Sequence, residues 1–172
     1  MAQDVRVAVA AVGSAGTNTI QFRRTPDFTY DGGHKRDDVA VRDSPGGHST
    51  IRLGAGADFF DGQPPSIGTP DSTAAFTVHG GAGRDSLMGG PSADSLDGGT
   101  GDDTLGGGGG ADTFIGGPGS DTVDFIRPTS GAGAISVTLD GQRDDGTAGQ
   151  NALVGSDVEN AAIGPPVSAE RR

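Results

Sequence analysis

Between Gly80 and Asp124 the apolar positions of the chain recur every nine residues. The nonads GGAGRDSLM, GGPSADSLD, GGTGDDTLG, GGGGADTFI and GGPGSDTVD each place Gly-Gly first, Asp sixth, Ser or Thr seventh and an apolar residue eighth. A repeat that keeps this phase indicates a stacked architecture rather than biased composition. We interpret the first six positions as a glycine-rich turn and the last three as a short strand. The inward-facing side chains are then those of Leu87, Leu96, Leu105, Phe114 and Val123.

Two nonads, or 18 residues, would complete one coil of a solenoid. Each turn then stacks on the turn two repeats earlier, at the strand spacing of about 4.8 Å. The pattern therefore predicts an all-β protein whose centre is a parallel β-solenoid.

The flanking sequence is less regular. It contains the strand-like stretches DVRVAVAAV, NTIQFRR, STIRL and AAFTVH, the loop-like GQPPSIGTPDS, an alternating strand AISVTL and a tail GPPVSAERR. LGAGADFFDG resembles a degenerate nonad, because its Asp58 precedes Asp85 by three nonads, and Asp157 follows Asp121 by four. We divide the chain into an N-terminal β segment of unknown role (1–52), a degenerate repeat and loop (53–79), the regular repeats (80–124) and a C-terminal strand and polar tail (125–172).

Composition narrows the possible functions. Of the 172 residues only 32% are hydrophobic, 33 are glycine and none is Trp, so the chain suits thin repeating layers better than a large core. The net charge of -11 argues against nucleic acid as a partner. No run is long enough for a membrane span, and the absence of Cys excludes disulfides and thiolate metal sites.

The coil geometry brings the aspartates together. It predicts one row of Asp85, Asp103 and Asp121 along one edge, and a second row of Asp94 and Asp112 along the other. Carboxylates this close repel unless a cation lies between them. Ca²⁺ accepts six to eight oxygen ligands in flexible geometry, whereas Mg²⁺ requires a tight octahedron and Zn²⁺ favours His or Cys, so calcium fits best. A flexible glycine-rich linker and a metal-free solenoid are the alternatives.

The nonads resemble the RTX (repeat-in-toxin) calcium-binding repeat, G-G-x-G-x-D-x-U-x, over residues 80–124. The resemblance implies a parallel β-roll with one Ca²⁺ between successive turns on the same edge. In that family the upper turn supplies its second and fourth carbonyls and its Asp, and the next turn supplies its first and third carbonyls and its Asp.

Carried onto this chain, the resemblance implies about three calcium ions. The three implied ligand sets are Gly81, Gly83 and Asp85 with Gly98, Thr100 and Asp103; Gly99, Gly101 and Asp103 with Gly116, Pro118 and Asp121; and Gly90, Ser92 and Asp94 with Gly107, Gly109 and Asp112. Asp103 would therefore bridge two ions. In the third set Ser92 departs from the motif by replacing the fourth-position glycine.

Calcium is expected to fold the repeats as it binds. Without metal, the density of glycine and aspartate predicts disorder, and an affinity of roughly 10⁻⁴ to 10⁻³ M would fold the chain where calcium is plentiful. The resemblance implies a secreted or surface bacterial protein, with a protein or glycan partner unknown. Two alternatives are the non-catalytic calcium-binding part of a secreted hydrolase or toxin, and an adhesin or matrix protein.

No catalytic motif is apparent, so we expect the chain not to be an enzyme. H-E-x-x-H and G-x-S-x-G are absent, and His34, His48 and His79 lie in loop-like sequence as expected solvated residues.

Overall fold

A computed structural model describes residues 17–25, 27–42, 44–62, 73–125, 135–147 and 151–163. Within these ranges the secondary structure is entirely strand. The strands are β1 (Asn18–Arg23), β2 (Thr29–Gly33), β3 (Asp37–Arg42), β4 (His48–Ala55), β5 (Phe59–Asp61), β6 (Ala75–Ala82), β7 (Ser86–Met88), β8 (Ser95–Thr100), β9 (Thr104–Gly106), β10 (Thr113–Ile115), β11 (Thr122–Phe125), β12 (Ile135–Ser136), β13 (Gly146–Thr147), β14 (Leu153–Val154) and β15 (Asn160–Ile163).

The strands form two parallel sheets. One has the order β1-β3-β5-β7-β9-β11-β15 and the other β14-β10-β8-β6-β4-β2, so the chain alternates between the sheets as it advances. Ser86 pairs with Thr104 and Thr77 with Ser95, and each partner lies one coil, or 18 residues, further along. The predicted all-β parallel β-roll is confirmed.

Strand alternation supplies the core. In β8 the side chain of Leu96 is buried while those of Ser95 and Asp97 lie at the surface, as expected for a strand with one face covered. The eighth residue of every regular nonad is fully buried, as predicted: Leu87, Leu96, Leu105, Phe114 and Val123. The roll therefore has one stacked apolar residue per strand.

The same two sheets continue on both sides of residues 80–124. Strands β1 to β5 precede the regular repeats and β14 and β15 follow them, in the same parallel order. Aromatic pairs such as Phe60 with Phe76, whose ring centroids lie 5.2 Å apart edge to face, fill the wider earlier coils. NTIQFRR, STIRL and AAFTVH are strands as predicted. The four-segment division stays a prediction.

Several predictions fall partly or wholly outside the described residues. DVRVAVAAV, the tail GPPVSAERR and nearly all of the loop GQPPSIGTPDS lie there. The predicted strand AISVTL is described from Ile135 onward, where β12 covers only Ile135–Ser136 and pairs antiparallel with β13. The described residues contain no helix that is long and apolar enough to cross a membrane.

Candidate metal centre at the edges of the roll

The turns between the sheets place the aspartates in two separate rows. We call the row at which the chain passes from the six-stranded to the seven-stranded sheet the first edge; it contains Asp58, Asp85, Asp103 and Asp121. The row at which the chain returns is the second edge, which contains Asp94 and Asp112. All of these carboxylates are buried. The structure therefore brings the predicted aspartates together as expected.

At the first edge the aspartates form a hydrogen-bonded ladder. The backbone N–H of Asp85 donates to Oδ1 of Asp103 at 2.8 Å, and the N–H of Asp103 donates to Oδ1 of Asp121 at 2.9 Å. One oxygen of each carboxylate therefore joins its own turn to the turn above it.

The ladder extends beyond the regular repeats in both directions. Asp37 N–H donates to Asp58 Oδ1 at 2.7 Å, and Asp58 N–H donates to Asp85 Oδ1 at 2.8 Å. At the other end, Asp121 N–H donates to Oε2 of Glu159 at 2.8 Å. Six acidic side chains thus occupy equivalent places in successive described turns.

The second carboxylate oxygen distinguishes the middle of this ladder from its start. Oδ2 of Asp58, Asp85, Asp103 and Asp121 is buried without any hydrogen-bond partner. Asp37 differs because its Oδ1 accepts from Asn18 Nδ2 and its Oδ2 accepts from Gly33 N–H. Buried polar atoms are nearly always paired, so four unpartnered oxygens in a row indicate a site for a positively charged ligand.

Backbone carbonyls converge on these unpartnered oxygens. A Cβ added to Gly80 would lie 2.5 Å from Asp85 Oδ2 and 2.6 Å from the carbonyl oxygen of Gly98 in the next turn. A Cβ on Gly98 would meet Asp103 Oδ2 and lie 2.9 Å from the Gly116 oxygen. The first glycine of each nonad therefore leaves room where a carboxylate oxygen and a carbonyl oxygen from the next turn approach each other.

We predict that Gly98→Ala disrupts the gap between Asp103 and Asp121. The added methyl group would meet Asp103 Oδ2 and the Gly116 carbonyl, so we expect weaker calcium binding and a destabilisation on the order of 1 to 3 kcal/mol. Calcium titration calorimetry and thermal unfolding measure both effects. Gly46→Ala is the control, since its φ is 68° but its Cβ would contact nothing within 4 Å; it should cost about 1 kcal/mol and leave calcium binding unchanged. Equal calcium binding by the Gly98 variant would contradict the prediction.

The second and fourth glycines turn their carbonyls toward the following turn. Gly99 and Gly101 have φ of 101° and 130°, and a Cβ at these positions would meet the carbonyl oxygens of Gly81 and Gly83. Gly117 and Gly119 repeat this relation with Gly99 and Gly101. Only glycine adopts such φ values cheaply while another backbone approaches so closely.

The third-position carbonyls have a further role. Thr100 O accepts the Gly83 N–H at 2.8 Å, and Pro118 O accepts the Gly101 N–H at 2.9 Å. A carbonyl oxygen has two lone pairs, so each can accept this hydrogen bond and still contact a cation. All the predicted first-edge oxygens thus belong to turns that face one another, although their role as ligands stays a prediction.

The second edge has a different arrangement. Asp94 N–H donates to Asp112 Oδ1 at 2.9 Å, which reproduces the ladder. Asp94 Oδ2, however, accepts the N–H of Gly90 in its own turn at 2.6 Å. Gly109 N–H donates to Gly90 O at 3.0 Å, and a Cβ at Gly89 would lie 2.7 Å from Gly107 O.

Ser92 changes the backbone of the second edge. Neither Gly90 nor Ser92 is among the described residues with positive φ, in contrast to Gly81 and Gly83. The Ser92 hydroxyl donates to the carbonyl of Thr73 at 3.0 Å. The turn therefore avoids the strain that a positive φ would impose on serine, but it does not copy the first-edge conformation.

Burial raises the pKa of every carboxyl group in the two rows. Desolvation raises the pKa of Asp85 to about 6, of Asp94 to about 7 and of Asp112 to about 8. The pKa values of Asp58, Asp103 and Asp121 are also raised, first by burial and secondly by neighbouring carboxylates, against the lowering effect of the ladder hydrogen bonds. Ionised carboxylates are thus disfavoured here unless a cation compensates them.

The donor set is suited to a hard cation. Within the described residues no group of three or more His, Cys, Asp or Glu side chains is placed to hold a metal ion, so backbone carbonyls must supply much of any coordination. Carboxylate and carbonyl oxygens match calcium, which accepts both, and not zinc, which prefers nitrogen and sulfur.

A family comparison agrees with this geometry. Residues 46–63, 77–105 and 88–123 match the model of the RTX calcium-binding nonapeptide repeat (4 copies). The chain thus carries RTX-type repeats, as predicted, and these are calcium-binding repeats that are not catalytic by themselves. Searches of the curated proteins and of the solved structures give no significant match.

The three histidines lie apart from both rows of aspartates. His34 is exposed in a turn, His48 Nε2 contacts Thr77 Oγ1 at 2.8 Å, and His79 Nδ1 lies 3.1 Å from Asp97 Oδ2. His48 and His79 belong to strands β4 and β6 rather than to loops, in contrast to the expectation from sequence.

Sequence reasoning missed two members of the ladder. Asp37 lies in GGHKRDDVA, which keeps Gly-Gly first, Asp sixth and an apolar residue eighth, so the nonad template could have found it. Glu159 has no such signal, and the phase of nine pointed instead to Asp157. Asp157 Oδ2 accepts the Gly117 N–H at 3.0 Å, while Glu159 occupies the ladder position.

Proposed function

We propose that the first edge of the roll binds about three calcium ions, one in each gap between Asp58 and Asp85, Asp85 and Asp103, and Asp103 and Asp121. The observation that carries this proposal is the set of buried Oδ2 atoms without hydrogen-bond partners, one for each gap. A bound Ca²⁺ supplies the missing partner and neutralises carboxylates that burial would otherwise keep protonated.

Each gap offers enough oxygen atoms for calcium. In the gap below Asp85, Gly81 and Gly83 from the upper turn approach Gly99 and Gly101 through their carbonyls. The carbonyls of Gly98 and Thr100 and the carboxylate of Asp103 bring the number of candidate oxygens to the six that calcium requires. The gap below Asp58 repeats this pattern, because a Cβ at Gly81 or Gly83 would meet the carbonyl of Gly54 or Gly56.

At the second edge we expect weaker binding. The Gly90 N–H already satisfies Asp94 Oδ2, so a cation gains less by contacting that oxygen. Asp94 and Asp112, with the carbonyls of Gly90, Ser92, Gly107 and Gly109, remain the proposed ligands there.

We propose further that calcium binding and folding of the roll are one event. The turns are held apart by buried carboxylates and joined by glycine-rich backbone whose ordering is costly. Metal binding free energy is therefore also folding free energy. Such a chain suits a calcium-rich extracellular medium or a cell surface, whether it acts alone, as the calcium-binding part of a secreted hydrolase or toxin, or in an adhesin.

Calorimetric titration of the chain with Ca²⁺ and separately with Mg²⁺ tests the proposal. We expect about three first-edge ions per chain with calcium, and much weaker heats with magnesium because the carbonyl-rich gaps do not offer a compact octahedron. Binding of magnesium with equal affinity and number, or no binding of calcium, would reject it.

A further inference from the structure

The fourth unpartnered carboxylate oxygen lies below the last regular nonad. Asp121 is fully buried, and its Oδ2 has no hydrogen-bond partner. The turn beneath it, residues 155–159 between β14 and β15, has no Gly-Gly-x-Gly-x-Asp sequence and lies outside the residues that match the repeat family. The first-edge ladder nevertheless continues into this turn, because Asp121 N–H donates to Glu159 Oε2.

Asp157 replaces the glycine that opens a regular nonad. Gly99 N–H donates to the carbonyl of Gly116 at 3.1 Å, whereas one coil later Gly117 N–H donates to the carboxylate Oδ2 of Asp157 at 3.0 Å. The side chain of Asp157 has thus taken over a contact that a backbone carbonyl makes in the coil above.

The Asp157 carbonyl is then directed at the unpartnered oxygen. A Cβ on Gly116 would lie 2.6 Å from Asp121 Oδ2 and 2.9 Å from the Asp157 carbonyl oxygen. Gly98 has the same relation to Asp103 Oδ2 and the Gly116 carbonyl. The gap below Asp121 therefore reproduces, with different residues, the convergence of oxygens in the gap below Asp103.

Negative charge is concentrated around this gap. The carboxylates of Glu159, Asp157 and Asp102 all act on Asp121 and raise its pKa after the larger effect of burial. In the described part of the chain none of these four carboxylates has an ion-pair partner. A cation in the gap would compensate a charge cluster that the roll itself leaves uncompensated.

We propose that the gap between residues 116–121 and 155–159 is an additional calcium site, formed by the Asp121 carboxylate, the Asp157 carbonyl and the Glu159 carboxylate. This inference deepens the proposed function. The 155–159 turn is separated from β11 by a long connection that contains the β12–β13 pair, so calcium here would fasten β14 and β15 to the roll. Glu159 is exposed, and water is expected to complete the coordination.

Glu159→Gln tests the site with little change to the hydrogen bonds, because the glutamine carbonyl can still accept the Asp121 N–H. Calorimetric titration should show one calcium ion fewer per chain than in the unsubstituted protein. Hydrogen exchange should show that calcium no longer protects residues 151–163, while calcium-dependent protection of residues 80–106 persists. Asp157→Asn combined with Glu159→Gln should still remove only one ion, since both residues serve one site.

Asp144→Asn is the matched control, because it removes one exposed carboxylate outside the gap and should leave the calcium number unchanged. The inference is overturned if Glu159→Gln retains every ion and the calcium-dependent protection of residues 151–163. In that case a loss of calcium in Asp103→Asn would show that the proposed function still holds. Absence of calcium binding in the unsubstituted chain would instead reject both proposals.

Discussion

Removing calcium at pH 8.5 is expected to unfold the roll, and acidification to about pH 4 is expected to restore it without calcium. In the calcium-free roll Asp85, Asp94 and Asp112 have pKa values of about 6, 7 and 8, well above the value of about 3.9 for an unfolded aspartate. The folded chain therefore binds more protons than the unfolded chain. This contribution to stability is complete below about pH 4 and is lost as the pH rises through 6 to 8.

The expected size of this effect is large for so small a roll. One pKa unit corresponds to about 1.4 kcal/mol, so the three groups together make stability differ by several kcal/mol, on the order of the whole stability of a small domain. Far-UV circular dichroism with a chelator, from pH 4 to 9, should show β structure at the acid end and its loss at the alkaline end. Added calcium at pH 8.5 should restore the signal.

Asp112→Asn provides the control for the assignment of this titration. An amide cannot ionise, yet its oxygen can still accept the Asp94 N–H, so the variant should lose less β structure between pH 7 and 9 than the unsubstituted chain. A calcium-free chain with full β signal at pH 8.5 would show that calcium is not required for folding.

The period of nine was sufficient to predict the regular part of the fold. An apolar eighth residue and an acidic sixth residue specify which side chains face the core and which lie in the turn, and two nonads per coil then determine the register. Asp85, Asp103 and Asp121 are therefore separated by the same 18 residues in sequence and in the ladder. Local pattern and tertiary stacking agree here, which is why the prediction succeeded.

The rest of the ladder could not be predicted because the coils differ in length. Successive ladder residues are 21 apart from Asp37 to Asp58, 27 apart from Asp58 to Asp85 and 38 apart from Asp121 to Glu159. Extra residues enter connections at the second edge, where they leave the first-edge stacking unchanged. Only the pairing of strands, such as Thr122 with Asn160, identifies Glu159 as the equivalent of Asp121.

The sequence also predicted more similarity between the two edges than the structure shows. At the second edge the positions in register with Asp94 and Asp112 are Phe76 before them and Ala152 after them, so that row of carboxylates stops after two members. Sequence spacing alone could not show that the Gly90 N–H satisfies Asp94 Oδ2. The strongest cation sites are thus expected at the first edge.

Asp103→Asn is expected to remove two calcium ions, more than any other single substitution. Its Oδ2 faces the gap toward Asp121, and its Oδ1 lies at the gap toward Asp85, where it accepts the Asp85 N–H. Asparagine keeps an oxygen for that hydrogen bond, so the variant isolates the loss of charge from the loss of the ladder contact. At free calcium one hundred times the dissociation constant, each lost ion should reduce stability by about 2.7 kcal/mol, and two by about 5 kcal/mol.

Two comparison variants separate this effect from a general change of charge. Asp94→Asn should remove at most one ion, because the second-edge row contains one gap between two aspartates. Asp97→Asn, on the outer face of β8 beside His79, should remove none. Calorimetric titration gives the number of ions and thermal unfolding in calcium gives the stability. If Asp103→Asn loses one ion or none, adjacent gaps do not share its carboxylate, and the continuous calcium column along the first edge is wrong.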